Sequence, residues 1–256
     1  MDYQNCRLCP RQCGADRQAG ETGFCGCPAT ALVAKAMLHK WEEPVLAGPG
    51  GSGTVFFGGC TLRCCYCQNA AISGRPAGQT VDSAGLRRIF EELIAQGAEN
   101  IDLVTPTQFL PTVLPALEPR LPVPVVYNCG GYERVETLKE LEGKVDIYLP
   151  DLKYADGTLA AALSGAGDYF PVAAEAIREM VSIVTGCDGA VVEHFSQYAF
   201  TVIVYMLFEG VFPDLSELIR QIDEIKPAHL TFDIVGAFRP IGIENKVEVS
   251  LYRLKI

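Results

Sequence analysis

Apolar and polar positions change period several times along this chain, and the changes mark out a succession of strands and helices. Thr54-Val55-Phe56-Phe57 is a β-branched and aromatic run ending in Gly58-Gly59, which predicts a strand that enters a loop. Between Asp82-Ser83 and Gly97, Leu86, Ile89, Phe90, Leu93 and Ile94 recur at spacings of three and four, behind a capping residue and ahead of a glycine. That spacing predicts a helix with one buried face. Further strands are expected at Asn100–Thr105, Val123–Asn128 and Val145–Tyr154, with a helix over Val135–Glu142. Strand and helix in alternation imply parallel crossovers, hence an α/β fold and an incomplete TIM-like (βα) barrel. In the tail, Ser196–Phe208 and Val247–Ile256 read as strands. Pro213–Ile225, with Leu215, Leu218, Ile219 and Ile222 on one face, reads as a helix.

Composition narrows the function classes. The 256 residues are 49% hydrophobic, enough for one sizeable core and a small appendage. A formal charge of -10 argues against a nucleic-acid backbone as partner. The longest apolar stretch, Ala199–Phe208, is far short of the roughly twenty residues a membrane span needs, and Met1-Asp2-Tyr3-Gln4-Asn5 has no signal-like character. A cytoplasmic protein is expected.

Eleven cysteines, nine of them before residue 68, point to metal rather than disulfides. Cys60, Cys64 and Cys67 follow the strand at C-x3-C-x2-C spacing. A structural zinc ion or a closed [4Fe-4S] cube takes four ligands, so three thiolates leave one iron of a cube open for chelation by an amino acid. A zinc knuckle completed from elsewhere would use the same residues. Upstream, Cys6, Cys9, Cys13 and Cys25 offer four soft ligands in a segment too short for a core, with Cys27 an alternative to Cys25. Zinc or a second iron-sulfur cluster would serve there. On a strand, Asp151 and Lys153 point the same way, as functional groups facing the barrel interior or as a surface ion pair. His39, His194 and His229 are read as structural.

The loop Cys60-Thr61-Leu62-Arg63-Cys64-Cys65-Tyr66-Cys67 resembles the signature of the radical S-adenosylmethionine (SAM) superfamily, matched at Cys60, Cys64 and Cys67, with Cys65 outside the pattern. With Leu38-His39-Lys40-Trp41-Glu42-Glu43-Pro44 and Gly51-Ser52-Gly53-Thr54, residues 1 to about 180 are similar to the pyruvate formate-lyase activating enzyme-like branch. The resemblance implies a [4Fe-4S] cluster, SAM on its open iron and a 5′-deoxyadenosyl radical. It implies SAM contacts from Tyr66, Thr105, Thr107, Asn128, Asp151 and Lys153, the last two also positioning substrate. Thr105-Pro106-Thr107 stands where many relatives carry Gly-Gly-Glu, so hydroxyls and backbone take over the work of holding the methionine amine. A reductant such as flavodoxin or ferredoxin and a protein substrate, through a backbone glycine, are the implied partners. The expected division is a cysteine-rich segment at 1–30, a radical SAM core at 31–180 and a divergent αβ region at 181–256. Lys226-Pro227-Ala228-His229-Leu230 resembles the end of a phage-tail-associated family, so that region either completes the barrel or is a separate module. The rival reading is a non-catalytic metal-binding protein or a fusion with a phage structural module.

Overall fold

Ala31–His39 and Ser52–Phe57 form strands β1 and β2, and their pairing is antiparallel, with Met37 opposite Thr54 and His39 opposite Ser52. The computed structural model describes residues 1–42 and 44–185, together with five strand segments of the tail. Two units are distinguished, residues 1–129 with 141–146, and residues 130–140 with 147–256.

In the first unit, β3 (Gln79–Val81) lies on the outer side of β1, while β4 (Ile101–Val104) and β5 (Val125–Cys129) extend the sheet from β2. The order within this unit is β3-β1-β2-β4-β5, and β2, β4 and β5 are parallel. Two short helices, α1 (Pro44–Ala47) and α2 (Ala70–Ser73), flank β2 in sequence. Helix α3 (Ser83–Ala95) starts where the sequence predicts: the Asp82 carboxylate caps the Gly85 N–H at 2.7 Å. Leu86, Phe90 and Leu93 of α3 are buried, with Ile89 and Ile94 half-buried beside them. A turn of 3-10 helix at Thr107–Phe109 leads into α4 (Leu110–Ala116). β2 alternates by period two: Val55 and Phe57 share one face and are buried, while Thr54 and Phe56 belong to the other.

The N-terminal segment owes its shape to Arg17, which is 2% exposed. Its Nε donates to the carbonyls of Cys27 at 3.0 Å and Pro28 at 3.1 Å, and Nη1 donates to Gln108 O at 2.6 Å. The guanidinium also lies 4.5 Å from the Tyr3 ring centroid and 5.5 Å from that of Phe109. Tyr3 in turn shares a 2.6 Å hydrogen bond with Thr112 and packs with Cys6, Leu8 and Ala29. A segment too short for a core therefore borrows one from α4 and the turn before it.

In the second unit, α5 (Val135–Leu138) passes into 3-10 helix at Lys139–Leu141, so the helix expected over Val135–Glu142 is shorter than its sequence suggests. β6 (Ile147–Pro150) is followed by α6 (Gly157–Ser164) and α7 (Tyr169–Thr185). Strand β6 stops at Pro150, which leaves Asp151 and Lys153 on the loop beyond it rather than on the strand. Tyr132, Tyr154 and Tyr169 form the packing centre, with Tyr154 edge-on to Tyr169 at 5.1 Å. Of the tail, Val204–Leu207 and Ala237–Pro240 pair antiparallel with Lys246–Ser250, and Thr231–Phe232 with Leu254–Lys255. Strands thus overlap both expected tail strands, the one expected over Val247–Ile256 appearing as two segments with different partners. The predicted helix at 213–225, His194 and His229 fall outside the described residues.

Replacing Arg17 tests its anchoring role. Arg17→Met leaves three backbone carbonyls without a donor and should cost about 3 kcal/mol of unfolding free energy. Arg17→Lys, which keeps the charge and loses the fork, should recover less than half of this in anaerobic urea titrations.

Candidate metal centre

The cysteine loop begins where β2 ends, at the edge of the sheet that also receives the ends of β4 and β5. The chain turns there at Gly59, whose φ of +77° suits glycine. A Cβ at this position would lie 2.2 Å from Cys27 Sγ and 3.2 Å from Cys25 O, so the N-terminal segment packs directly on the loop's first turn. Gln108 fastens the same turn from the other side. Its side-chain amide nitrogen, which carries two N–H donors, lies within hydrogen-bonding distance of three carbonyls, Gly58 O and Gly59 O at 3.1 Å and Thr105 O at 2.9 Å. Gln108 is 2% exposed, and its backbone carbonyl is the acceptor for Arg17. Arg17, Gln108 and Gly58-Gly59 therefore form one chain of hydrogen bonds from the N-terminal segment to the loop.

Within the loop, Cys60, Cys64 and Cys67 are half-buried and Cys65 is exposed. Burial pushes the Cys60 thiol up, and the nearby thiols of Cys64 and Cys67 raise it further, while the N–H groups of Arg63 and Leu62 oppose the rise. The Leu62 N–H donates to Cys60 Sγ at 3.3 Å, the kind of bond that supports a metal-bound thiolate. Cys67 N–H donates to Cys64 O at 3.2 Å and Ala70 N–H to Cys67 O at 3.1 Å, which curls the loop toward α2. Among the described residues, no three His, Cys, Asp or Glu side chains are gathered as one ion requires. A tetrahedral ion needs its sulfurs about 3.8 Å apart, whereas a cube places each thiolate on a different iron. The donor set, all soft sulfur with backbone N–H support, fits a cube.

The upstream cysteines have varied surroundings. Cys6 and Cys25 are buried, Cys9 is half-buried and Cys13 is exposed. Cys27 is fully buried, and its Sγ lies 3.5 Å from both Cys25 O and Gly58 O. A hydrogen bond from the Cys27 thiol lowers Cys25 to about 6, and the same contact pushes Cys27 up. Arg17 Nη1 lies 3.8 Å from Cys6 Sγ. Neither Arg17 nor Gln108 stands out in the sequence, because a lone Arg or Gln in a loop carries no periodic or spacing signal.

The ends of β4 and β5 bring Thr105, Thr107 and Asn128 to the same edge. Thr105 has a φ of +57°, costly for a β-branched residue, and is held there by its N–H to Asn128 O at 2.8 Å and by Gln108 on its carbonyl. Thr107 is buried, 3.0 Å from the Tyr127 hydroxyl. Below them the inner face of the sheet is polar. Asp102 lies beside Thr54 in register, fully buried, and neither carboxylate oxygen has a partner at hydrogen-bonding geometry. Ser52 Oγ and Asn100 Oδ1 on that face are likewise unpartnered among the described residues. Burial, then the carboxylate of Glu42, raise Asp102 well above the usual carboxylate range, with Asn128 and Thr54 opposing.

In the second unit, Lys153 Nζ pairs with Asp151 Oδ2, and their side chains are 22% and 25% exposed. The pair exists although neither residue is on a strand. Its backbone is fixed by the Tyr169 hydroxyl, which accepts the Lys153 N–H at 2.9 Å and lies 2.8 Å from the carbonyl oxygens of Gly130 and Asp151. Gly131, at φ +74°, makes room: a Cβ would sit 2.2 Å from Asp151 O.

Two substitutions test these contacts. Gln108→Leu removes both amide N–H donors from the carbonyls at the loop's base and should reduce iron incorporation roughly tenfold in anaerobic reconstitution. Asp102 has a raised pKa in the folded chain, so the fold holds its proton more tightly than the unfolded chain does. Its stabilising effect is complete below about pH 4, near the unfolded value, and is lost as pH rises toward the raised folded value. Asp102→Asn should match the wild-type denaturation midpoint near pH 4 and exceed it increasingly at neutral pH.

Comparison with known proteins bears on the loop. The chain is 31% identical over 179 residues to the uncharacterized protein MJ0674 of Methanocaldococcus jannaschii, covering 66% of this chain and 52% of that one. It thus spans about half the length of the curated relative it matches. Residues 46–108, which contain Cys60, Cys64 and Cys67 as well as Thr105 and Thr107, match the 4Fe-4S single cluster domain and support an iron-sulfur site in this loop.

Proposed function

We propose that this protein is a radical SAM enzyme of the pyruvate formate-lyase activating enzyme-like branch, built on a partial TIM-like barrel. The observation that carries this reading is the placement of three thiols, one with a backbone N–H on its sulfur, at the C-terminal edge of parallel strands inside a stretch matching a [4Fe-4S] domain. A [4Fe-4S] cluster with one open iron supplies an electron for reductive cleavage of SAM, giving methionine and a 5′-deoxyadenosyl radical that takes a hydrogen atom from substrate.

The chain's own groups would bind, orient and shield. Cys60, Cys64 and Cys67 would hold three irons, and Gln108 and Gly59 fix the loop that presents them. Tyr66 offers a ring for an adenine face. Thr105 and Asn128, at the ends of β4 and β5, offer hydroxyl, amide and backbone groups for the amino-acid end of SAM, and Thr107, buried against Tyr127, would support them from behind. Asp151 and Lys153 form a ready ion pair that presents both charges, suited to an amine and a carboxylate or to a peptide backbone. A glycine of a partner protein is the substrate proposed, with an electron carrier such as flavodoxin or ferredoxin as reductant. Among the described residues, no helix is long and apolar enough to cross a membrane; a cytoplasmic setting is part of the proposal.

Anaerobic reconstitution with iron and sulfide tests the reading. The wild type should gain thiolate-to-iron absorbance and, once reduced by dithionite, convert SAM to 5′-deoxyadenosine. Cys60→Ala, Cys64→Ala and Cys67→Ala should each drop to background, while Cys65→Ala keeps both properties. An iron-loaded, reduced wild type that leaves SAM intact would rule out the catalytic reading.

A further inference from the structure

Phe24 is one of the few large apolar side chains exposed among the described residues, at 37%. Two arginines frame it, with Arg11 Cζ 4.0 Å and Arg63 Cζ 5.6 Å from the ring centroid. Both cations are held in place. Arg11 Nε donates to Thr61 O at 3.1 Å, and Arg63 donates to Phe24 O at 3.1 Å and Gly74 O at 2.9 Å. Thr61 and Arg63 belong to the cysteine loop itself, between Cys60 and Cys64.

The cysteine loop departs in charge from the rest of the chain, while Asp16 and the exposed Glu21 accompany Arg11 and Phe24 in the N-terminal segment. The chain carries 31 acidic residues and a net charge of -10, yet none of the acidic residues lies between Glu43 and Asp82, the stretch that contains the loop. A net charge of -10 disfavours the approach of an acidic partner on average, and exposed arginine beside an aromatic offsets this locally. Arginine and aromatic side chains are also the types enriched in interface cores.

We infer that Arg11, Phe24 and Arg63 form the docking surface for a small acidic one-electron carrier protein. The inference rests on the proposed cluster at Cys60, Cys64 and Cys67, because a partner seated on Arg63 stands beside those ligands. One electron leaves the carrier, which is oxidised by one electron, and the group held by the three cysteines is reduced by one; no proton or atom is transferred. Fixed guanidinium groups steer the approach of an acidic surface, and the phenyl ring gives the contact an apolar centre.

The test uses the iron-loaded full chain and an acidic [2Fe-2S] ferredoxin as probe, under anaerobic conditions. Calorimetric affinity should fall roughly tenfold between about 50 and 500 mM salt. Arg11→Gln, Arg63→Gln and Phe24→Ala should each weaken binding and slow reduction by reduced ferredoxin about three- to tenfold, while dithionite reduces all of them as it does the wild type. Arg63 lies inside the cysteine loop, so Arg11→Gln and Phe24→Ala are decisive if Arg63→Gln takes up less iron. Binding that is insensitive to salt, or wild-type affinity in both of those variants, would overturn the docking surface. A chain that takes up no iron would instead remove the cluster, and with it the reason for an electron carrier to dock.

Discussion

A single buried guanidinium determines whether the cysteine loop has a floor to stand on. Arg17 gathers the carbonyls of Cys27, Pro28 and Gln108, and Gln108 passes the constraint on through its amide to Gly58, Gly59 and Thr105. A buried charge without partners is costly, and here carbonyl dipoles and two aromatic faces supply the compensation. The N-terminal segment is consequently more than an appendage. Its Cys27 side chain fills the space that a Cβ on Gly59 would need, so the segment and the loop determine each other's position.

That arrangement has a counterpart in the sheet. The face of β2 and β4 that carries Ser52, Thr54, Asn100 and Asp102 keeps oxygen atoms buried with few partners, in a place where Val or Leu would be more stabilising. Deviations of this sort gather near functional sites, where a polar interior is retained at some cost to stability. Thr105 adds backbone strain at the end of β4 and is held by bonds to Asn128 and Gln108. Strained backbone, buried carboxyl and cysteine loop all belong to the same three parallel strands.

Much of the architecture could be read from periodicity, because β2, α3, β4 and β5 each present a clean apolar face and α3 a capped start. The cysteine spacing was legible for a different reason, since three thiols in eight residues have few structural uses. Periodicity failed where local geometry overrides it. Strand β6 stops at Pro150, and the Asp151–Lys153 pair forms on a loop because Tyr169, well downstream, clasps the backbone there. Nor could the sequence reveal that the N-terminal segment is held by an arginine: composition counts its cysteines and suggests a metal, whereas the contacts of Arg17 depend on residues about ninety positions away.

Net charge alone describes this molecule poorly. A value of -10 disfavours polyanionic partners on average, but the stretch from 44 to 81 holds no acidic residue and presents Arg63 at the heart of the loop. Removing carboxylates from around a thiolate site has an electrostatic consequence of its own. Three thiolates on an iron cube concentrate negative charge, and nearby carboxylates would disfavour adding an electron, while fixed arginines and backbone N–H groups favour it. On the proposed reading, the same local pattern of charge would both ease reduction of a group at Cys60, Cys64 and Cys67 and favour the approach of an acidic donor at Arg63.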